Sequence, residues 1–359
     1  MPSFDQQPLL FEQNFAPDIT LLPCDPWIAA SALQKAIRRS DTVTAQRAAL
    51  TCLEAGRDVW RRLIVIAFED IGVGSEEAVA EVTEVVAELK VEKRSKHDIA
   101  LLFHLVRRLA EAPKDRSADY LICAAMHHPP LAQMRDICGS ATQSERFSIV
   151  KGANHSLSER AVAAWYASGL GCRFNPSRER EQARALAEFY RDADISPRLV
   201  EATEMACRLT REPIVALVPL IQMEVRKDLT RIIESPTPAY ATFNGIPSYA
   251  MDKHTRSGRK AVQRLIWESP ALRGILEEAV PEYRWRDAAL MAAFYADGVP
   301  TRLRLDWFQS QALEDYGREV DFARAGIAKD YIAAMSEAMA SSLGILDTIR
   351  CAFTPWRSS

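Results

Sequence analysis

Apolar residues recur along this chain at spacings of three and four almost throughout, and strict alternation is nearly absent, so helices are predicted along its whole length. After Asp25-Pro26-Trp27 an apolar stripe runs through Ile28, Leu33 and Ile37, and Ser40 or Asp41 is placed to cap the helix that follows. That helix, 42–55, stops at Gly56. Asp58 opens another through Trp60, Leu63, Ile64, Ile66, Ala67 and Phe68, which Gly72 and Gly74 end. Residues 76–91, 96–112 and 117–127 each read as an amphipathic helix. Pro129-Pro130, Gly139, Ser140 and Gly152 then mark a boundary. Helices resume over 158–168, 177–191, 197–209, 212–221 and 225–234; Ile214 to Val218 is β-branched enough for a strand, but short and alone, so it is read as helix. After the central stretch come helices over 270–280 and 281–295, a turn at Asp297-Gly298-Val299-Pro300, and a long helix over 328–353. The expected fold is all-α and multi-helical, with two packed helical lobes. It comprises an N-terminal arm over 1–24, a helical domain over 25–128, and a second over 129–359.

One stretch interrupts the helices. Gly245-Ile246-Pro247-Ser248-Tyr249-Ala250-Met251-Asp252-Lys253-His254-Thr255-Arg256-Ser257-Gly258 gathers a carboxylate, an imidazole and a guanidinium within five residues. The helix after it has apolar residues at 261, 262, 265 and 266 and a cationic opposite face. The polar cluster therefore precedes a helix N-terminus, whose free N–H groups favour an anion.

Composition narrows the choices. The 359 residues are 48% hydrophobic and 26% charged, as in an ordinary soluble globular protein. No apolar run approaches the roughly 18 residues of a membrane span, and Asp5 and Glu12 stand where a signal peptide would be basic and apolar, so a cytoplasmic protein with no membrane partner is expected. The seven cysteines are scattered and include no C-x-x-C pair, which suits reduced, buried thiols. His127-His128 diverge on a helix, and His97 and His104 have no acidic or cysteine partner in register, so no metal site is expected. A formal net charge of −3 gives no global sign of nucleic-acid binding. Locally, Lys253, Arg256, Arg259, Lys260 and Arg264 put five cations in twelve residues, and Arg226, Lys227 and Arg231 would extend the patch if their helix lay alongside.

The first domain carries a resemblance. Ser31-Ala32-Leu33, Lys35, Ile37-Arg38 and Ser40-Asp41 are followed by Leu53-Glu54-Ala55-Gly56, Asp58, Arg61-Arg62-Leu63, Ala67-Phe68-Glu69-Asp70-Ile71-Gly72, Ala112-Pro113-Lys114 and Ala124-Ala125. In order and spacing, residues 27–127 resemble the helical region C-terminal to the ATPase in the replication-associated recombination ATPases related to clamp loaders. The resemblance implies an oligomerising helical domain in DNA metabolism, with no catalytic residue of its own. The ATPase is missing, since no G-x-x-x-x-G-K-[ST] occurs. On physical grounds Glu69-Asp70 end a helix, where the dipole disfavours acids, so an ion pair with Arg61 or Arg62 is expected in preference to a catalytic acid pair.

The candidate chemistry sits in the central stretch. A structural role would make Asp252 or Thr255 an N-cap, His254 a turn residue and Arg256 the cover of a nearby carboxylate. The functional role starts from the aromatic, proline-fixed loop beside a cationic face, which suits a ligand both aromatic and anionic, as a nucleotide is. There is no nucleophile elbow, paired metal-binding carboxylates or cofactor fingerprint. One carboxylate beside cations is enough to cleave an N-glycosidic bond without a cofactor. Asp252 would stabilise an oxocarbenium-like sugar, Asp252 or His254 would orient or deprotonate water, and Arg256 would hold a flanking phosphate. Tyr249 or a tryptophan would stack on the flipped base, with Ser248 and Thr255 beside it, and Lys253, Arg259, Lys260 and Arg264 would bind the DNA. The expected function is a DNA glycosylase acting on a base, modified or not, in repair or phage defence. DNA is its partner, with a homo-oligomer or a DNA-processing protein as a further one. The alternatives are an ATPase-less helical adaptor in replication or recombination, and a nucleotide-binding regulator without turnover.

Overall fold

The first helices begin where the sequence supplies an aspartate. Asp25, Asp41, Asp58 and Asp98 each accept backbone N–H groups of the helix they open, from Trp27 and Ile28, Thr44, Arg61 and Leu101. Thr142 with Glu145 and Ser156 with Glu159 form reciprocal capping boxes. Caps of this kind contribute about 1 kcal/mol apiece. A computed structural model describes residues 19–91, 98–171, 176–227 and 229–353, so most of the expected arm, with Cys172 and His97, lies outside the described residues.

Among the described residues seventeen α-helices make up nearly all of the regular structure. The first lobe contains α1 (Pro26–Arg38), α2 (Thr42–Glu54), α3 (Val59–Ile66), α4 (Glu76–Val91), α5 (Ile99–Glu111), α6 (Ser117–His127), α7 (Ala132–Ser140), α8 (Gln143–Lys151), α9 (Leu157–Ser168), α10 (Pro176–Asp192), α11 (Pro197–Thr210) and α12 (Val218–Val225). Their apolar faces form one core that runs without a break across residues 128 and 129, because α6 packs on α9 as well as on its own neighbours. The second core gathers α13 (Arg256–Glu268), α14 (Pro270–Ala279), α15 (Trp285–Ala293) and α17 (Ile332–Phe353), while α16 (Ser310–Arg324) gives Leu313 and Val320 to the first core and Phe322 to the second. One window of Lys329–Phe353 reaches a mean hydropathy of 1.2, enough by length and composition for a membrane span. Here Met335, Met339, Leu346 and Ile349 of that helix line the second core, and Arg350 is buried on Asp297.

Two short ladders interrupt the helices, and one of them replaces helix that the periodicity suggests. The expected helix over 225–234 ends at Val225, and β1 (Arg231–Glu234) pairs antiparallel with β4 (Leu303–Asp306). Opposite charges face each other at the end of the register, Arg231 Nε donating to Asp306 Oδ2 at 2.6 Å, and Lys114 extends the ladder through hydrogen bonds with Leu303 and Leu305. A hairpin of β2 (Thr242–Phe243) and β3 (Ile246–Pro247) turns through Asn244-Gly245, both at positive φ, the conformation that an Asn-Gly hairpin turn requires. Ile214 to Val218 is helical as expected, beginning as a 3-10 turn.

The lobes meet on the last turn of α1. Arg38 donates to the Gly298 carbonyl at 2.8 Å and Arg39 to the Asp297 carbonyl at 2.6 Å, while the Arg302 N–H reaches the Arg38 carbonyl. Lys35, one turn earlier, reaches the central stretch.

Candidate functional site

The segment from Ser248 to Thr255 is fixed by its neighbours on both sides. Ser248, Tyr249 and Ala250 form one buried 3-10 turn after β3. Thr255, not Asp252, caps α13: its Oγ1 accepts the Gly258 N–H at 3.0 Å and donates to the Asp252 carbonyl at 3.1 Å. Gly258 lies directly on the peptide it helps to hold, because a Cβ there would sit 2.2 Å from the Asp252 carbonyl oxygen and 2.4 Å from its nitrogen.

This leaves the Asp252 side chain facing α1. Its Oδ2 accepts a hydrogen bond from Lys35 Nζ at 2.6 Å and its Oδ1 accepts the His254 N–H at 2.9 Å; Lys35 also donates to Ser31 Oγ at 2.5 Å. Both partners are almost wholly enclosed, with 3% and 2% of their side chains exposed. Burial pushes the Asp252 carboxyl upward, but the Lys35 charge, the His254 surroundings and the two hydrogen bonds outweigh it, so the group stays ionised below its ordinary range. Burial also draws the Lys35 amine below its ordinary value despite the facing carboxylate.

Both groups line a cavity of about 550 Å3 between α1, the start of α3 and the central segment. Glu69 forms another part of the wall, in a π-helical turn (Ala67–Ile71) that follows α3. Burial and the neighbouring Asp70 and Asp119 carboxylates raise its carboxyl to about 7 against the pull of Arg38 and Arg62. The expected Arg61 or Arg62 pairing is replaced by another. Arg38 donates to Asp70 at 2.5 Å and to Glu69 at 3.0 Å, and Arg116 stands 3.1 Å from Asp70. Arg62 instead donates to Gln34, whose amide donates to Asp70 at 2.8 Å. The side chains explain the exchange: Arg61 points away, to the Thr210 carbonyl and to Glu212, whereas Gln34 and Arg38 of α1 reach the acids. At the mouth Trp27 is 63% exposed, with the Arg57 guanidinium 3.9 Å from its ring centroid.

Only some of the candidates from the sequence reach this cavity. Asp252 and His254 do. The His254 ring, at the rim and edge-on to Phe294, is lowered to about 4 by desolvation and by the Lys253, Lys35 and Arg38 charges, so it is neutral at physiological pH. Lys253 is not part of the lining; its Nζ lies over the Phe294 ring, 3.8 Å from the centroid. Tyr249 cannot stack on a ligand, because it is fully buried between Tyr240 and the Arg39 guanidinium, and Ser248 is buried with it. Thr255 is committed to its cap. Arg256, Arg259, Lys260 and Arg264 lie on α13 outside the cavity lining; Arg259 donates to the Lys253 carbonyl at 3.3 Å and Arg264 to Glu268 at 2.5 Å. Arg226 bonds the Asp194 and Ala193 carbonyls and Lys227 bonds Glu224, both local to the end of α12, while Arg231 is taken by Asp306.

Lys35, Gln34 and Arg38 are the cavity residues that the sequence reading does not single out, and Glu69 is read there only as an ion-pair partner. The signal available was a cation at position 35, and another at 38, within the apolar stripe of α1, where an enclosed charge requires a partner. Among the described residues no three His, Cys, Asp or Glu side chains converge as a metal-binding group. Chemically the cavity offers an ionised carboxylate, an amine in contact with it, a carboxyl that holds a proton near neutrality, and arginines at its opening. No family model, no curated protein and no solved structure matches the chain.

Proposed function

We propose that the protein is a DNA glycosylase that cleaves the N-glycosidic bond of a modified base flipped out of DNA, in repair or in defence against phage. The observation that carries this reading is the ionised Asp252 carboxylate in the wall of a cavity whose mouth holds Trp27, Arg57, Arg61 and Arg62. A flipped nucleotide enters such a cavity base first, stacking on an aromatic at the rim while arginines take the flanking phosphates. At about 550 Å3 the cavity has the size of pockets that enclose drug-sized ligands, more than one unmodified pyrimidine needs.

The roles follow from the charges. Asp252 faces the sugar and offsets the positive charge that grows at C1′ as the base departs. Glu69, with its carboxyl raised to about 7, is protonated in a large share of molecules at neutral pH, and the departing base can take that proton. His254 is neutral there, so it orients water without adding a cation beside the sugar. The adaptor alternative requires no cavity at Asp252.

The test is to incubate the purified protein with unmodified and hypermodified DNA and then apply alkali, which breaks strands at abasic sites. Strand breaks in at least one modified DNA, and fewer in the unmodified one, are expected. Their absence from every DNA tested would refute the glycosylase reading.

A further inference from the structure

We infer that a second cavity, walled by Arg116, Arg304 and Arg318, binds a phosphate group, either inorganic phosphate or the terminal phosphoryl group of a phosphomonoester. The inference stands apart from the glycosylase reading, because this cavity shares no lining residue with that of Asp252.

The cavity holds about 220 Å3 and lies where β4, the turn from Val299 to Thr301 and the starts of two helices come together. Those starts are Ser117 of α6 and Ser310 of α16, helices that pack on each other. The residues just before them, Arg116 and Gln309, give them no side-chain cap. Two positive dipole ends thus reach one small space. They would not make a site without the guanidinium groups around them.

Arg116 carries the argument. It is 6% exposed, its Nε stands 3.1 Å from Asp70 Oδ1, and its Nη2 donates to Asp119. Asp70 and Asp119 lie outside the cavity lining, so the acids hold one side of the guanidinium. Its Nη1, also enclosed, has no acceptor among the described residues, and the only cavity that Arg116 is found to line is this one. Arg318 Nε, in the same wall, is likewise enclosed without an acceptor. A buried charged donor left unpaired is destabilising and rare in folded proteins. A tetrahedral oxyanion, with oxygens pointing several ways at once, satisfies donors from more than one arginine.

The acids of the wall are already engaged. Glu314 takes Arg304 Nη2 at 2.6 Å and Arg318 Nη2 at 3.2 Å. Asp115 accepts the Ser117 N–H at 3.1 Å, the Ser117 hydroxyl at 3.0 Å and the Trp307 indole N–H at 3.0 Å. Lys114 lines the cavity too, but its amine is bound by Ser40 Oγ and the Ala110 carbonyl. Without it, three guanidinium groups still face two carboxylates, an excess of positive charge to which the helix ends add. Size narrows the ligand: drug-sized molecules occupy about 300 to 1,000 Å3, so this space takes a phosphate and a few further atoms, and the rest of a nucleotide would stay outside. A terminal or free phosphate, with a charge of about −1.5 to −2, matches the excess better than a singly charged diester.

Calorimetric titration of the full-length protein with inorganic phosphate, at fixed ionic strength, tests the inference. Saturable binding of one phosphate per chain is expected, with Arg304→Gln and Arg318→Gln each weakening it about tenfold or more, the usual effect of losing a charge-assisted hydrogen bond. Glu314→Gln, which removes a repelling charge and frees both arginines, should tighten it. No saturable binding, or binding that Arg57→Gln weakens while Arg304→Gln and Arg318→Gln do not, overturns the inference. Should the arginine variants fail to fold, wild-type protein treated with phenylglyoxal decides: phosphate should shield Arg304 and Arg318 from modification, as peptide mapping reads it, and equal modification with and without phosphate refutes the site. Competition then separates the sources. Displacement of phosphate by an oligonucleotide with a terminal phosphate, and not by the same strand without one, assigns the site to strand ends, whereas displacement only by small phosphomonoesters assigns it to free ligands; displacement by the strand lacking the phosphate contradicts the inference.

Discussion

Glu69 sits where two neighbouring carboxylates and burial work against its ionisation, and Arg38 is near enough to soften that penalty without removing it. Its folded-state value of about 7 lies above the roughly 4.3 of an unfolded glutamate. A raised value means that the stabilising contribution is complete below the unfolded value and is lost as pH rises through the folded one. Glu69→Gln, permanently neutral, is therefore expected to match the wild type in stability in acid and to exceed it above about pH 7, as thermal unfolding at the two pH values would measure. Base release by the wild type should decline as pH rises through about 7, and Glu69→Gln should be slower but lack that decline. A decline that persists in Glu69→Gln would assign it to another group. His254, lowered to about 4, contributes no change near neutrality. At this scale Asp252 and His254 were legible because they cluster in one loop. Lys35 was not, since its partner lies 217 residues along the chain and only the fold brings the two together. Tyr249 misled because a loop aromatic reads as exposed, and the Tyr240 and Arg39 packing that buries it is a tertiary event.

Among the elements, the first turn of α13 matters most to the site. Glycine inside a helix normally costs about 0.5 to 1 kcal/mol relative to alanine, so Gly258→Ala ought to stabilise an isolated helix. Here the added methyl would press on the Asp252 backbone at 2.2 Å, and the sign inverts. A destabilisation of about 1 to 3 kcal/mol is expected, as for overpacking, with base release reduced more than DNA affinity because the carboxylate moves. Unchanged stability and activity would mean that the loop is not positioned by α13. The capped helices were legible from their aspartates. The Asn244-Gly245 hairpin carries a turn signal that the sequence reading does not use, because its strands are only two residues long. β1 was not legible, because four residues cannot declare a partner about seventy positions away, and their periodicity fits a helix equally well.

For the whole molecule, a formal net charge of −3 means that the DNA affinity proposed above is a matter of local surface. A nucleotide with its base in the cavity has its flanking phosphates at the mouth, so Arg57→Glu with Arg61→Glu should weaken binding to every sequence. It should also lower the salt slope by about 0.9 for each phosphate that the protein no longer neutralises. Arg259→Glu with Lys260→Glu, on α13 outside the cavity lining, should have the smaller effect. The reverse order would move the DNA track onto α13. The all-helical character was legible from periodicity alone. The continuity of the first core across residues 128 and 129 was not, because Pro129-Pro130 marks a turn in the chain whether or not the packing divides there.

Release of a base from DNA in the Asp252 cavity is tested most directly by comparing wild type with Asp252→Asn for alkali-labile sites in hypermodified DNA. Asparagine keeps the shape but leaves Lys35 enclosed without its counter-charge, and breaking such a pair costs about 3 to 5 kcal/mol when the charge cannot neutralise itself. The assay is therefore run where circular dichroism shows both proteins folded. The wild type is expected to produce such sites, and Asp252→Asn to produce them about a hundredfold more slowly or worse, the usual effect of removing about 3 kcal/mol of electrostatic stabilisation from the transition state. Equal rates for the two folded proteins, or no sites with either, would contradict it.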